Sequence, residues 1–258
     1  MSAGSVQISY VRYEGDRPQL TSRPVAREAP VALYVNDREW VTFLCTPVDL
    51  KQLVVGFLHS EALISSPADI ALLRICGEVK SEVHVQLLKP VESPSGGTLT
   101  SGCGGGTTFA DLVSRRAPIT TDQSITPAQV IKLMAQLYRA ARIHNQAGGV
   151  HSSALSDGEK LLVVVEDVGR HNTLDKILGH CLLTGQETAD RILLTTGRIS
   201  TEMLNKTMHM GVPIVISRTS PTDLAVNLAR AWEVTLIGYV RGRSFNVYSG
   251  RWRISNGK

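Results

Sequence analysis

Apolar and polar residues follow two rhythms along this chain, and the places where the rhythm changes mark its elements. Residues 1–25 are polar, with the turn signal Gly15-Asp16-Arg17-Pro18 between two short strand-like runs, which predicts an extended arm or a first hairpin. Two apolar runs then flank Asn36-Asp37 between Val31 and Cys45, as a strand, turn and strand would. Leu50, Leu53, Val54, Phe57 and Leu58 recur at helical spacing, so a helix is expected to open at Thr46-Pro47 and close at Glu61-Ala62-Leu63-Ile64. Alternation returns between Ile70 and Lys89, most plainly in the half-buried strand pattern Glu82-Val83-His84-Val85-Gln86-Leu87.

From Pro90 to Pro118 the chain is rich in Pro, Ser, Gly and Thr, and no period survives. A loop of this length inside a compact protein is usually functional or disordered. Beyond it, Thr126-Pro127 opens a helix expected to reach His144, with Val130, Leu133, Met134, Leu137 and Tyr138 on the buried face. Strand-like runs at 161–167, 191–196, 212–217 and 234–240 then alternate with helical segments at 173–183, 200–210 and 222–232. This order predicts an α/β fold: a mostly parallel sheet flanked by helices, with a ligand crevice at the carboxyl ends of its strands. The chain thus divides into a smaller N-terminal α+β domain (1–95), a flexible glycine-rich loop (96–120) and a C-terminal α/β domain (121–258).

With 258 residues, 43% of them hydrophobic and 19% charged, the chain has the apolar content for a sizeable core. No run approaches the ~18 apolar residues of a membrane span, and Met1-Ser2-Ala3-Gly4-Ser5-Val6 does not read as a secretory signal, so a cytoplasmic protein is expected. The formal charge of +4 suits an anionic ligand without demanding nucleic acid. Aromatics make up 5% and do not interleave with the basic residues, which argues against base-stacking platforms.

The four cysteines have no metal-ligand or redox-motif spacing, so reduced thiols are expected. Cys45, Cys76 and Cys181 sit in apolar settings and read as buried hydrophobes. Cys103 differs, because Ser101-Gly102-Cys103-Gly104-Gly105-Gly106-Thr107 leaves its sulfur unshielded. That presentation suits a nucleophile or sulfur carrier, the alternative being a loop that happens to hold a cysteine.

Polar residues collect where each expected strand stops: Asp167-Val168-Gly169-Arg170-His171-Asn172, Thr195-Thr196-Gly197-Arg198, Ser217-Arg218-Thr219-Ser220-Pro221 and Arg241-Gly242-Arg243-Ser244. Every one of these segments carries an Arg. Backbone N–H groups at helix starts and planar guanidinium forks both suit phosphate, so a phosphorylated ligand, a nucleotide, is expected in the crevice. The plain alternative is a set of ordinary helix caps and surface charges. There is no G-x-x-x-x-G-K-[ST] and no G-x-G-x-x-G after a strand, which disfavours an ordinary ATPase or Rossmann dehydrogenase. His171 can orient a ligand or take a proton, His59 and His180 read as satisfied packing residues, and His151 stays open. Zinc deaminase chemistry is not expected, because Ser153 occupies the glutamate position of H-x-E and no C-x-x-C exists.

Val11-Arg12-Tyr13-Glu14-Gly15-Asp16, Ser101-Gly102-Cys103-Gly104, Gly148-Gly149-Val150-His151, Asp167 to Asn172, Thr196-Gly197-Arg198 and Gly238-Tyr239-Val240-Arg241-Gly242-Arg243 together resemble the FdhD/NarQ family, sulfurtransferase accessory proteins of formate dehydrogenase. The resemblance spans nearly the whole chain. It implies a cytoplasmic homodimer that takes sulfur from a cysteine desulfurase as a persulfide on Cys103. The sulfur then passes to a molybdenum (or tungsten) bis-guanine-dinucleotide cofactor, bound as substrate, on behalf of the catalytic subunit of formate dehydrogenase. Tyr239, Val240, Arg241, Gly242, Arg243 and Ser244 match the family segment that binds the guanine nucleotide, for which a free guanine nucleotide is a partial mimic. Arg170, His171, Thr196, Gly197, Arg198 and Arg218 are expected to complete the site, with no zinc, no nucleic acid and no membrane partner. The resemblance also implies a cytidine-deaminase-like α/β/α arrangement for the C-terminal domain. Gly106 stands where the family has a second loop cysteine, so a persulfide here cannot resolve to an intraloop disulfide. Release then falls to attack at the metal centre or to an external reductant. A cofactor-binding chaperone without covalent sulfur transfer is the alternative.

Overall fold

The computed structural model describes residues 4–77, 81–91, 113 and 116–255. The first hairpin is present: β1 (Ser5–Glu14) and β2 (Arg17–Ala26) pair antiparallel around Gly15-Asp16 as a separate two-stranded ribbon. Its base rests on the body, where Arg23 reaches the Ala147 carbonyl at 3.5 Å. β3 (Ala29–Val35) and β4 (Arg38–Cys45) form the second hairpin. Asn36 and Asp37 both take positive φ, 49° and 63°, the primed turn that matches strand twist.

With β5 (Ile70–Cys76) and β6 (Ser81–Leu87) these strands make a four-stranded sheet of order β4-β3-β6-β5, in which β3 and β6 are parallel. α1 (Leu50–Ser60) buries Leu50, Leu53, Val54, Phe57 and Leu58 in one cluster with Val31, Leu33, Phe43, Val83 and Val85. The helix begins later than Thr46-Pro47 implies. Thr46 is wholly buried and already committed: its N–H donates to Asp167 Oδ2 (3.2 Å), and its carbonyl accepts from Lys176 Nζ (3.1 Å).

The C-terminal half builds a six-stranded sheet from β7 (His151–Ser156), β8 (Leu161–Asp167), β9 (Ile192–Thr195), β10 (Ile214–Ser217), β11 (Thr235–Arg241) and β12 (Ser244–Ser249), in the order β12-β11-β10-β9-β7-β8. α2 (Pro127–Ala140) covers one face, setting Val130, Leu133 and Leu137 against Ile192, Leu194, Ile214 and Ile237. α4 (Arg170–Thr184), α5 (Thr201–His209) and α6 (Asp223–Ala231) cover the other, where Leu174, Ile177, Met203 and Leu228 meet Leu155, Leu193, Val215 and Leu236. Neighbouring residues of one strand thus enter opposite layers, which is why these strands read as unbroken apolar runs.

The expected mostly parallel sheet is in fact mixed. β9, β10 and β11 run parallel, but β7 lies antiparallel between β8 and β9, and β12 closes the other edge antiparallel. β7 escapes a hydrophobicity reading because serines interrupt it, and β12 because Asn246 divides its few apolar residues, Phe245, Val247 and Tyr248. Ser152, Ser153 and Ser156 of β7 are wholly buried and satisfied by hydrogen bonds, Ser153 Oγ lying 2.7 Å from Thr173 Oγ1 and donating to Thr195 Oγ1 at 2.9 Å.

The long helix expected to reach His144 ends at Ala140, and a short α3 (Arg142–Ala147) follows. The buried Glu166 carboxylate causes the break by accepting the N–H groups of Ile143 and His144, each at 2.8 Å. At the start of α2, Thr126 and Gln129 form the reciprocal capping box behind Pro127.

α1 and α4 join the two halves at a glycine crossing. A methyl on Gly56 would lie 1.8 Å from the Asp175 carbonyl oxygen, and one on Gly179 would lie 1.9 Å from that of Gln52. Only glycine permits this backbone-to-backbone approach. The described end of the linker is fixed to the C-terminal half: the Trp232 indole N–H donates to the Val113 carbonyl (3.1 Å), and Ile119 N–H to that of Trp232 (3.0 Å). Cys45 and Cys181 are buried as expected, whereas Cys76 is only half-buried at the end of edge strand β5. His59 is not a satisfied packing residue, since its buried Nδ1 has no partner among the described residues.

Candidate functional site

The turn from β8 into α4 is held by a buried ion pair. Asp167 Oδ2 accepts from Lys176 Nζ at 2.7 Å, both side chains being fully buried. Asp167 Oδ1 accepts from Gly169 N–H (2.8 Å) and Asn172 Nδ2 (2.9 Å), while Lys176 also donates to the Glu166 carbonyl (3.2 Å). Asn172 reaches across to the Leu44 carbonyl of β4 at 3.1 Å. Each buried charge therefore has several partners, as its desolvation requires. Asp167 and Asn172 hold the segment, and Arg170 and His171 are what it presents. Lys176 escaped the sequence reading, although a lysine among Leu174, Ile177 and Leu178 on an apolar helix face was a usable signal.

The carboxyl ends of β8, β9, β10 and β11 lie along one edge of the sheet, with the start of β7 between those of β8 and β9. A methyl on Gly197 would stand 3.0 Å from Arg170 Cβ and 3.5 Å from His151 Nδ1, so Gly197 admits both side chains. The Arg218 N–H donates to the Thr195 carbonyl (3.0 Å), Ser217 Oγ to that of Gly197 (2.7 Å) and Tyr239 N–H to that of Thr219 (3.1 Å). Thr196 is tied to β7, its N–H donating to the Ser152 carbonyl (2.9 Å) and its Oγ1 accepting from Ser152 N–H (3.0 Å). Arg170, His171, Thr196, Gly197, Arg218 and Tyr239 thus share one ridge, with Arg198 exposed beside them. Nε of Arg170 and one Nη of Arg218 are buried with no acceptor among the described residues. A buried guanidinium N–H is costly to leave unmade, and an anion bound at this edge of the sheet would supply the missing acceptor.

The expected nucleotide segment divides in two. Tyr239 adjoins the ridge with φ +54°, at a bulge between Gly238 and Arg241, and the Arg241 guanidinium lies 5.5 Å from its ring centre. The Val240 side chain is buried in the core beneath α2, which leaves its main chain for any ligand. Arg241, Gly242, Arg243 and Ser244 are exposed at the β11–β12 turn. Cys103 and Gly106 lie outside the described residues.

Two imidazoles the sequence weighed separately meet here. His151 opens β7 opposite Asp167, and burial, then Arg170, lowers its pKa. His171, whose Nε2 lies 3.4 Å from Ser200 Oγ and 3.5 Å from Glu202 Oε2, is pushed down to about 4 by burial, then by Arg170, Lys206, His151 and Arg198. Its contact with Glu202 at neutral pH is therefore not an ion pair. His209 is likewise lowered to about 4, by burial and then by Arg116, which touches its ring. A depressed folded-state pKa means the unfolded chain binds protons first, so stability present above pH 6.5 is lost as pH falls toward 4. Denaturant midpoints measured from pH 7 to 4.5 should decline, and less steeply in His171→Asn/His209→Asn than in the wild type.

A hollow of about 380 Å³ lined by Lys51, Val55, Ile70, Leu72 and Ile75 lies on the N-terminal half, away from these groups. Among the described residues no helix is long and apolar enough to cross a membrane, and no three His, Cys, Asp or Glu converge as metal ligands.

Known proteins resemble this chain over nearly all of its length. A protein named Sulfur carrier protein FdhD from Shouchella clausii is 36% identical over 252 residues, covering 94% of each chain. Its namesake from Bacillus subtilis is 38% identical over 251 residues, covering 94% of this chain and 95% of its own. A crystal structure of a protein from Desulfotalea psychrophila, assigned as a formate dehydrogenase accessory protein, superposes with a TM-score of 0.79 at 29% identity, over 97% of this chain and 99% of that one. The family model for FdhD/NarQ proteins matches residues 26–255, a span that takes in both halves of the molecule and every strand end of the crevice, and the chain belongs to that family.

Proposed function

We propose that this protein is a sulfur carrier for formate dehydrogenase, loaded on Cys103 and delivering to a cofactor whose guanine nucleotide lies in the strand-end crevice. The Cys103 thiolate attacks the terminal sulfur of a cysteine desulfurase persulfide; a new S–S bond forms at Cys103 as the donor cysteine leaves as its thiolate. Delivery goes to a molybdenum or tungsten bis-guanine-dinucleotide cofactor bound as substrate. With Gly106 in place of a second loop thiol, release takes place at the metal centre or through an external thiol reductant.

The observation that carries the reading is the ridge of Arg170, Arg198 and Arg218, two of which hold a buried N–H with no acceptor among the described residues. The names of the relatives supply the sulfur half of it. Cys103 lies ten residues before Val113 in the sequence, and the Val113 carbonyl accepts from the Trp232 indole of the C-terminal half. The likeness of the C-terminal half to cytidine deaminases, a cytoplasmic setting, a homodimer and the formate dehydrogenase catalytic subunit as client belong to the same proposal.

The other cysteines are poor carriers. Burial, then the Asp167 charge, raises the Cys45 thiol to about 12, and burial raises Cys181 to about 11, so neither supplies thiolate near neutral pH. Half-buried Cys76 is the control. Incubated with a cysteine desulfurase and cysteine, wild type and Cys76→Ser should each gain about 32 Da, reversed by reductant, and Cys103→Ala should gain nothing. A wild type that gains no mass points instead to a chaperone that binds the cofactor without covalent transfer.

A further inference from the structure

The ribbon of β1 and β2 is ten residues long on each strand, and among the described residues no third strand joins it. Val6, Ile8, Val11, Tyr13 and Leu20 on it are all exposed, Leu20 by 77%. A two-stranded hairpin alone is marginal in water, so this one lacks a partner.

Its two edges are not equivalent. Glu14 and Arg17 flank the two-residue turn and form the first hydrogen-bonded pair, and beyond the other end Arg27 N–H donates to the Gly4 carbonyl at 2.9 Å. Ladder orientation alternates residue by residue, so the even residues of β1 bond to the odd residues of β2. Pro18 and Pro24 fit that assignment, since a proline has no N–H to give the ladder and must face outward. The outer edge of β2 is thereby blunted at both prolines. On β1, Gln7, Ser9, Val11 and Tyr13 turn their N–H and C=O groups outward, with no proline and no charge among them, which leaves that edge open to pairing.

We propose that β1 pairs antiparallel with β1 of a second copy of this chain, across a two-fold axis at Tyr10, to give a four-stranded β2-β1-β1-β2 sheet. The edge is its own complement. Residues 7, 9, 11 and 13 are symmetric about Tyr10, so Gln7 faces the partner's Tyr13 and Ser9 faces the partner's Val11, forming on the order of eight backbone hydrogen bonds. Tyr10 meets its own copy at a non-hydrogen-bonded position, where cross-strand side chains approach closest. No like charges oppose one another: Arg12 faces the partner's Ile8 and Glu14 faces the partner's Val6. Such self-complementarity is what an isologous interface requires, and it favours a second copy over an unrelated strand.

The arrangement gives an interface to the homodimer proposed above, but it rests on the ribbon alone. Its test reads mass and leaves the sulfur loading of Cys103 as a separate result. Light scattering on the full-length chain should give twice the 28.0 kDa of one copy. Ser9→Pro removes one outward donor from the open edge and should weaken the dimer at least tenfold. Ser22→Pro, which adds a third proline to the blunted edge, should leave it unchanged. In Tyr10→Cys, mild oxidation should produce a dimer whose cross-link maps to residue 10 in both copies. A monomeric wild type, a Ser9→Pro dimer as tight as the wild type, equal loss in Ser22→Pro, or no cross-link at residue 10 would each overturn the proposal.

Discussion

Lys176→Met should lower the unfolding free energy by about 3–5 kcal/mol, because it leaves the wholly buried Asp167 carboxylate without its cation. Against a total stability of about 5–15 kcal/mol for a folded domain, that is enough to depopulate the native state in a marginal background. Methionine nearly matches the lysine stem in volume, so cavity formation contributes little and the loss reports the stranded charge. The same substitution removes the bonds from Nζ to the Glu166 carbonyl and to the Thr46 carbonyl, the second of which ties the N-terminal half to α4. Guanidinium chloride titration followed by circular dichroism measures the loss. The double variant Asp167→Leu/Lys176→Met should recover a substantial part of it, since neither charge is then buried. A single variant within 1 kcal/mol of wild type would show that the pair does not hold the β8–α4 turn.

The second large effect concerns ligand. Arg170→Gln/Arg218→Gln should weaken binding of a guanine nucleotide by a hundredfold or more. Hydrogen bonds to charged groups contribute roughly 1.5–3 kcal/mol each, and about 3 kcal/mol already exceeds two decades in affinity. Both residues have a buried N–H awaiting an acceptor, so their contribution should be screened little by salt. Arg241→Gln/Arg243→Gln, at the exposed β11–β12 turn, should cost far less and mainly below 0.1 M salt. Titration calorimetry with GDP at two ionic strengths separates the two pairs. Equal losses would place the phosphates at the turn, and unchanged affinity in the buried pair would remove the crevice from the binding reading. Persulfide loading of Cys103 should be unaffected in both.

These two predictions draw on different kinds of information. The strand ends were legible because turns and helix starts are local: Thr196-Gly197-Arg198 and Ser217-Arg218 follow short apolar runs of strand length, and α/β geometry gathers such ends on one side. The same locality explains why the Asn36-Asp37 turn, the Thr126 capping box and the apolar strands β8 to β11 formed where expected. It also explains the misses. β7 is a strand whose serines are satisfied by Thr173, Thr195 and Glu166, residues that reach it only through the fold, and no window around His151 contains them.

Residue type and spacing along the chain therefore located the apolar strands β8 to β11, the helices between them and the arginines at their ends, but neither the serine-bearing β7 nor the edge strand β12. Tertiary packing alone chose the partners of the buried charges and the depth of each arginine. Thr46 and Asp167 meet across 121 residues of sequence, and the glycines of α1 and α4 touch backbone to backbone. Periodicity reports whether a side chain is buried, because the hydrophobic effect is non-directional and acts on each residue's own surface. Which donor meets which acceptor depends on distances of about 3 Å between groups far apart in the chain, and those exist only once the layers have closed.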